Sequence, residues 1–232
     1  MSILKFIEDK PRIILFAGNN DVAREVQNFL ESRGEKLIAV FHEKDKINLS
    51  MYFPDVMITC YWPYLLSKEM IEIPKYGTIN FHPALLPYNR GWYPSVWPFI
   101  DGSPAGVTLH LIDEGADTGP VIAQREVLIE ETDNGGTIYK KSQDAMVELF
   151  KETWAQLQHT GIELQKQDHS KATYHSKKDA NMLDELNLDY ITVAKDTIDL
   201  IRAKTFGDKG YAYYMKDGVK YRVRLIITKD NG

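Results

Sequence analysis

Arg12-Ile13-Ile14-Leu15-Phe16-Ala17 is a short apolar run, Gly18-Asn19-Asn20 turns the chain, and Asp21 opens a segment in which Val22, Val26, Phe29 and Leu30 recur at helical spacing. Gly34 closes that helix, and Lys36 to Phe41 is apolar again. Strand, helix and strand at this spacing predict a parallel sheet. Asp21 is placed to cap the helix. Val56 to Cys60 and Gly77 to Phe81 extend the sheet as third and fourth strands, so His82-Pro83 stands at a strand's carboxyl end, the edge where open α/β sheets form their sites. Gly18-Asn19-Asn20 lacks the spacing of a dinucleotide fingerprint and reads as a plain strand-to-helix turn.

Beyond the sheet's first half, Trp92 to Ile100 reads as a short helix entered at Pro94. Gly106 to Ile112 and Pro120 to Ile129 read as strands, and Thr137 to Leu157 as a long amphipathic helix. Residues from Gln158 to about Asp184 are polar and predict a loop-rich crossing. Val193 to Lys204 is helical in pattern, and Tyr211 to Met215 with Tyr221 to Ile227 form a hairpin turned at Asp217-Gly218.

The 232 residues, 44% of them hydrophobic, suffice for a substantial core. A net charge of −5 argues against nucleic acid as the main partner. From Lys195 onward nine Lys and Arg face five Asp, a local net of +4. This basic tail could serve an anionic substrate group or be a solvated face. The single Cys60 excludes internal disulfides, fits a reducing compartment and reads as a buried small hydrophobe. Met1 to Lys5 lacks a signal peptide's apolar core, and no run approaches the ~20 apolar residues of a membrane span. The default expectation is a cytoplasmic protein without a membrane partner.

Three chemical groups stand beside Pro or Gly: Asn80 and His82 before Pro83, and Asp117 before Gly119. Asn80 and His82 are two apart on one strand and point to one face. An amide donor for an oxyanion, an imidazole for a proton and a carboxylate suffice to move an acyl group between nitrogens. Asp117 could orient His82 or act through a water. Asp117-Thr118-Gly119 also matches an aspartic protease triplet, but that chemistry needs two such carboxylates and one copy is present. His110, facing opposite Leu109 and Leu111, reads as structural. Arg90 reads as a substrate contact or as the fastener of its own loop.

Asn80-Phe81-His82-Pro83, Leu85-Leu86-Pro87, Arg90-Gly91 and Asp117-Thr118-Gly119, the Asp lying 35 residues after His82, together resemble the folate-dependent formyltransferase family. The similarity covers residues 12 to about 157. It implies an α/β fold with a Rossmann-like, mostly parallel sheet in residues 1–158, followed by a helix and β-hairpin extension in 159–232. It also implies 10-formyltetrahydrofolate as formyl donor, no metal, and Asn80, His82 and Asp117 as the catalytic set. Pro63, Tyr64, Leu65 and Leu66 match the segment whose backbone edges contact the pterin, and Asp113 and Gly115 join them as folate-binding positions. Tyr88 to Trp92 and Leu200 to Phe206 are most similar to the branch that formylates amino sugars carried on a nucleoside diphosphate. That branch implies Asn89, Arg90, Trp92, Arg202 and Lys204 as substrate-binding positions, a homodimer formed through the hairpin, and a role in O-antigen (lipopolysaccharide) synthesis. The alternatives are formylation of glycinamide ribonucleotide and a non-catalytic folate or sugar-nucleotide binder. The tail is too short for a dedicated tRNA-binding domain.

Overall fold

The computed structural model describes residues 2–7, 10–43 and 49–230. Strand β1 (Ile13–Ala17) leads through α1 (Asp21–Ser32) to β2 (Leu37–Phe41), and the chain then crosses to β3 (Val56–Cys60) on the other side of β1. Strand β4 (Thr78–His82) follows, then a short β5 (Arg90–Gly91) outside the main sheet and α2 (Trp97–Asp101). Strands β6 (Gly106–Leu111) and β7 (Val121–Glu126) complete a six-stranded sheet of order β2-β1-β3-β4-β6-β7. The first four strands run parallel, and β6 and β7 are antiparallel additions. The strands β1 and β3 are buried along their whole length, as befits apolar runs covered on both faces.

Helix α3 (Gly135–His159) packs across the sheet beside α1, and Phe150, Trp154, Val26 and Leu30 fill the space between them. Asn134 caps it in a reciprocal box with Thr137. In α1 the cap is Asn20, whose side chain accepts from the Ala23 N–H at 2.8 Å. Asp21 is the first helical residue instead of the expected cap, and its charge faces the positive end of the helix. Gly18 does not open a phosphate loop, because a Cβ there would overlap the Tyr61 carbonyl oxygen: backbone fills the turn. The Trp92–Ile100 segment becomes helical only from Trp97, with Pro98 in its first turn.

Past Gln158 the chain returns to the unit built on the central sheet. Ile162–Glu163 pairs with Ile3–Leu4, Gln165 bridges Val121, and β8 (Tyr174–His175) pairs in parallel with β5. Helix α4 (Ala194–Ala203) packs on α2, and a hairpin of β9 (Tyr213–Lys216) and β10 (Val219–Arg222) ends the fold. Asp217 and Gly218 at its turn both have positive φ, at 51° and 76°, the geometry that a two-residue hairpin loop favours. Among the described residues no helix is long and apolar enough to cross a membrane.

Candidate active site

At the carboxyl end of β4, Phe81 points into the core against Phe150, so Asn80 and His82 emerge together on the opposite face. Thr59 on the adjacent strand β3 donates its hydroxyl to Asn80 Oδ1 at 2.7 Å. That contact fixes the amide's orientation and leaves its two N–H donors facing away. Asn80 Nδ2 donates one hydrogen to His110 Nε2 at 3.0 Å. His110 Nδ1 donates to the Leu111 carbonyl at 2.9 Å, so the tautomer leaves Nε2 as acceptor. His110 therefore belongs to the site, correcting its reading as a structural residue: β4 and β6 are antiparallel, and Asn80 pairs directly with His110 in register. Among the described residues the second Asn80 N–H meets no partner.

His82 is buried, and its Nε2 donates to the Asn89 carbonyl at 3.0 Å. A carbonyl only accepts, so the proton sits on Nε2 and Nδ1 carries the lone pair. That nitrogen faces Asp117 Oδ1 at 3.6 Å, and His110 Nε2 lies at the same distance from the same oxygen. Burial lowers the His82 pKa below the ordinary 6.5; Asp117 opposes this, and His110 and Arg90 reinforce it. Burial alone would raise the Asp117 carboxyl, but His82, His110 and the Gly91 N–H, which donates to Oδ2 at 3.0 Å, hold it well below the usual carboxylate range. Asp117 has φ of 55°, and a Cβ on Gly119 would overlap the Leu111 carbonyl oxygen. The loop is thus a tight left-handed turn pressed against the end of β6.

The expected folate positions lie on two loops beside these groups. Pro63, Tyr64 and Leu65 are exposed just past the end of β3, with Leu65 95% exposed, while Leu66 packs against Ile14, Phe16 and Met57 on the sheet face that also carries Asn80. Asp113 accepts from the Gly115 N–H and the Thr118 hydroxyl, which closes the loop that carries Asp117. Lys68 and Glu114 pair across the two loops at 2.5 Å. Among the described residues no group of three or more His, Cys, Asp and Glu is placed to hold a metal ion.

Of the expected acceptor positions only Trp92 offers its side chain. Its ring is 46% exposed, the Lys177 ammonium lies 5.4 Å from the ring centroid, and its backbone is fixed by the His175 carbonyl and the Trp97 indole. Asn89 is buried, with its amide spent on Ser103, Thr173 and His175; it serves the site through its carbonyl. Arg90 is buried and donates to Gln167 and His169, so its role as a fastener fits and its side chain is not presented to a substrate. Arg202 and Lys204 are corrections as well. The Arg202 guanidinium is consumed by the carbonyls of Glu130 and Asp133 and by Asp199, and Lys204 by the Ala180 carbonyl and Asp184. Both are buried: Arg202 fastens the C-terminal helix to the segment 130–133 ahead of α3, and Lys204 fastens it to residues 180–184.

A family model described as formyl transferase matches residues 12–154, and one described as the N-formyltransferase dimerization C-terminal domain matches residues 179–229. The dTDP-4-amino-4,6-dideoxyglucose formyltransferase of Mycobacterium tuberculosis is 36% identical over 153 residues, which are 66% of this chain and 65% of that protein. The matched stretch therefore spans just under two thirds of the length of that curated relative. A 4-N formyltransferase from Francisella tularensis superposes with a TM-score of 0.85 at 26% identity, covering 95% of this chain and 99% of that one. The formyltransferase PseJ from Anoxybacillus kamchatkensis, determined with UDP-4,6-dideoxy-4-formamido-L-AltNAc and tetrahydrofolate, superposes with a TM-score of 0.67 at 31% identity over 82% of this chain and 97% of that one.

Proposed function

Because the chain belongs to the formyl transferase family, we propose that it transfers a formyl group from 10-formyltetrahydrofolate to the primary amine of a deoxysugar carried on a nucleoside diphosphate. The observation that carries the reading is the free Asn80 N–H beside a buried neutral imidazole and a carboxylate held ionised. These residues fit the donor: a buried, anchored amide can hold a formyl oxygen, and exposed backbone at Pro63 to Leu65 can receive a flat pterin edge. The folate supplies an activated formyl group on nitrogen. Asn80 holds the oxygen that gains charge as the amine adds, in a site where fixed donors count for more than water. His82 Nδ1 takes the amine's proton, Asp117 stabilises the resulting imidazolium, and the imidazolium returns the proton to the folate nitrogen as its bond to the formyl carbon breaks. Support for the sugar nucleotide comes from the similarity to the mycobacterial enzyme and to PseJ. The product is a nucleotide-activated formamido sugar, suited to surface polysaccharide synthesis. An activity screen of dTDP- and UDP-linked amino sugars with 10-formyltetrahydrofolate tests the proposal; turnover of glycinamide ribonucleotide alone, or tRNA binding at physiological salt, contradicts it.

Trp92 is the proposed stacking surface for the acceptor's base, with the Lys177 ammonium beside it for phosphate. Trp92→Ala is expected to raise KM for the nucleotide sugar about tenfold or more, in keeping with the ~1–3 kcal/mol that base–aromatic stacking contributes. The folate KM and kcat stay near wild type; steady-state kinetics with each substrate varied reads this, and an unchanged acceptor KM refutes it.

The protein is proposed to act as a homodimer through its terminal hairpin. Met215, Val219 and Tyr221 are exposed on two strands that share no main-chain ladder with the central sheet, and an isolated hairpin is marginally stable in water. Light scattering at micromolar concentration should give twice the chain mass; a monomer mass counts against it.

A further inference from the structure

A segment outside both family matches reaches the site. Residues 165–171 are exposed except for Gln167, which is 8% exposed although polar. Its amide is fully used. Nε2 donates to the carbonyls of Asp117 at 2.9 Å and Gly119 at 2.7 Å, and Oε1 accepts from Arg90 Nη2 at 2.6 Å. One side chain thereby ties the turn that carries Asp117 to the loop whose neighbouring Asn89 carbonyl holds His82. The chain just beyond this segment holds the second loop through its backbone: Arg90 N–H donates to the Thr173 carbonyl and Trp92 N–H to the His175 carbonyl.

We propose that Gln167 is a positioning residue for the formyl transfer, holding the left-handed turn of Asp117 so that the carboxylate faces His82; this rests on the function proposed above. A non-glycine residue at positive φ persists only where its surroundings over-determine it. Two carbonyls of this turn depend on a single buried amide, and an unpaired buried carbonyl is costly. Without Gln167 the turn relaxes and the carboxylate leaves the imidazole.

The test uses Gln167→Met, which keeps the length and removes all three hydrogen bonds, and Gln167→Glu, which keeps an oxygen toward Arg90 and loses both donations. Each is expected to lower kcat by about 100-fold, the effect of a displacement near 1 Å, with little change in either KM. The second readout is the His82 titration followed by NMR of the imidazole. His82 is faced by Asp117 from the turn, His110 from β6, and Arg90 and the Asn89 carbonyl from the β5 loop; Asp117 raises its pKa while burial, His110 and Arg90 lower it. Withdrawing Asp117 therefore moves the midpoint further down. A wild-type kcat in either folded variant, or a loss of kcat with an unmoved His82 midpoint, overturns the proposal. A wild-type protein that forms no product defeats the proposed function, while the NMR titration still decides the role of Gln167.

Discussion

His82→Ala is expected to lower kcat by about 100- to 10,000-fold, the span that a positioned general base contributes, in a protein whose far-UV circular dichroism is unchanged. Nε2 is committed to the Asn89 carbonyl, so the lone pair of Nδ1 is the basic site and points toward Asp117. Burial, His110 and Arg90 hold the ring neutral at pH 7 against the opposing pull of Asp117, so the base is free before the reaction begins. Once it has taken the amine's proton, the carboxylate 3.6 Å away offsets the cost of a buried cation. Alanine removes the proton acceptor. The pH profile carries the sign of the same arrangement. In the wild type kcat/KM should fall on acidification with a midpoint below 6.5, and in Asp117→Asn the midpoint should move lower still, because the charge that raises it is gone. Near-normal turnover in a folded His82→Ala protein would sink the assignment.

How much of this was legible in the sequence depends on whether the signal is local. β1 and β3 announce themselves as unbroken apolar runs because both faces of each strand are covered. The hairpin is equally plain, since Asp217-Gly218 names its own backbone conformation. The start of α3 lies slightly earlier than the apolar periodicity indicates, because Asn134 and Thr137 cap the helix ahead of its first core residue, Ile138. His110 reads as structural from the sequence for a reason of register. Alternation on β6 placed it opposite Leu109 and Leu111, but that face is the one Asn80 occupies once β4 and β6 pair antiparallel. Two polar residues on adjacent strand candidates, each flanked by apolar neighbours, were the available signal. Arg202 and Lys204 mislead for the opposite reason, since a basic residue on an amphipathic helix gives no hint that backbone carbonyls of another element will bury it. Residues 165–176 carry no periodicity at all, and their hold on the site is made of long-range hydrogen bonds visible only in three dimensions.

Asn80→Ala is expected to lower kcat by about 100- to 1000-fold, as removal of one oxyanion donor does, while folate affinity changes little. The argument lies in how completely the amide is oriented. Thr59 occupies Oδ1 at 2.7 Å and His110 takes one Nδ2 hydrogen at 3.0 Å, so the remaining N–H has one direction and needs no reorganisation when charge develops on the formyl oxygen. Alanine deletes that donor, leaves the Thr59 hydroxyl only its longer contact to the Ile79 carbonyl and strands His110 Nε2, so part of the loss is structural. Thr59→Val separates the two parts. It keeps the Asn80 donor and the buried volume but removes the contact that orients the amide, and should give a smaller kcat loss with the fold retained. If Thr59→Val is as damaging as Asn80→Ala, the amide acts through packing; if Asn80→Ala turns over at the wild-type rate, the oxyanion role is wrong. Single-turnover measurements with saturating folate isolate the chemical step from release and distinguish these outcomes.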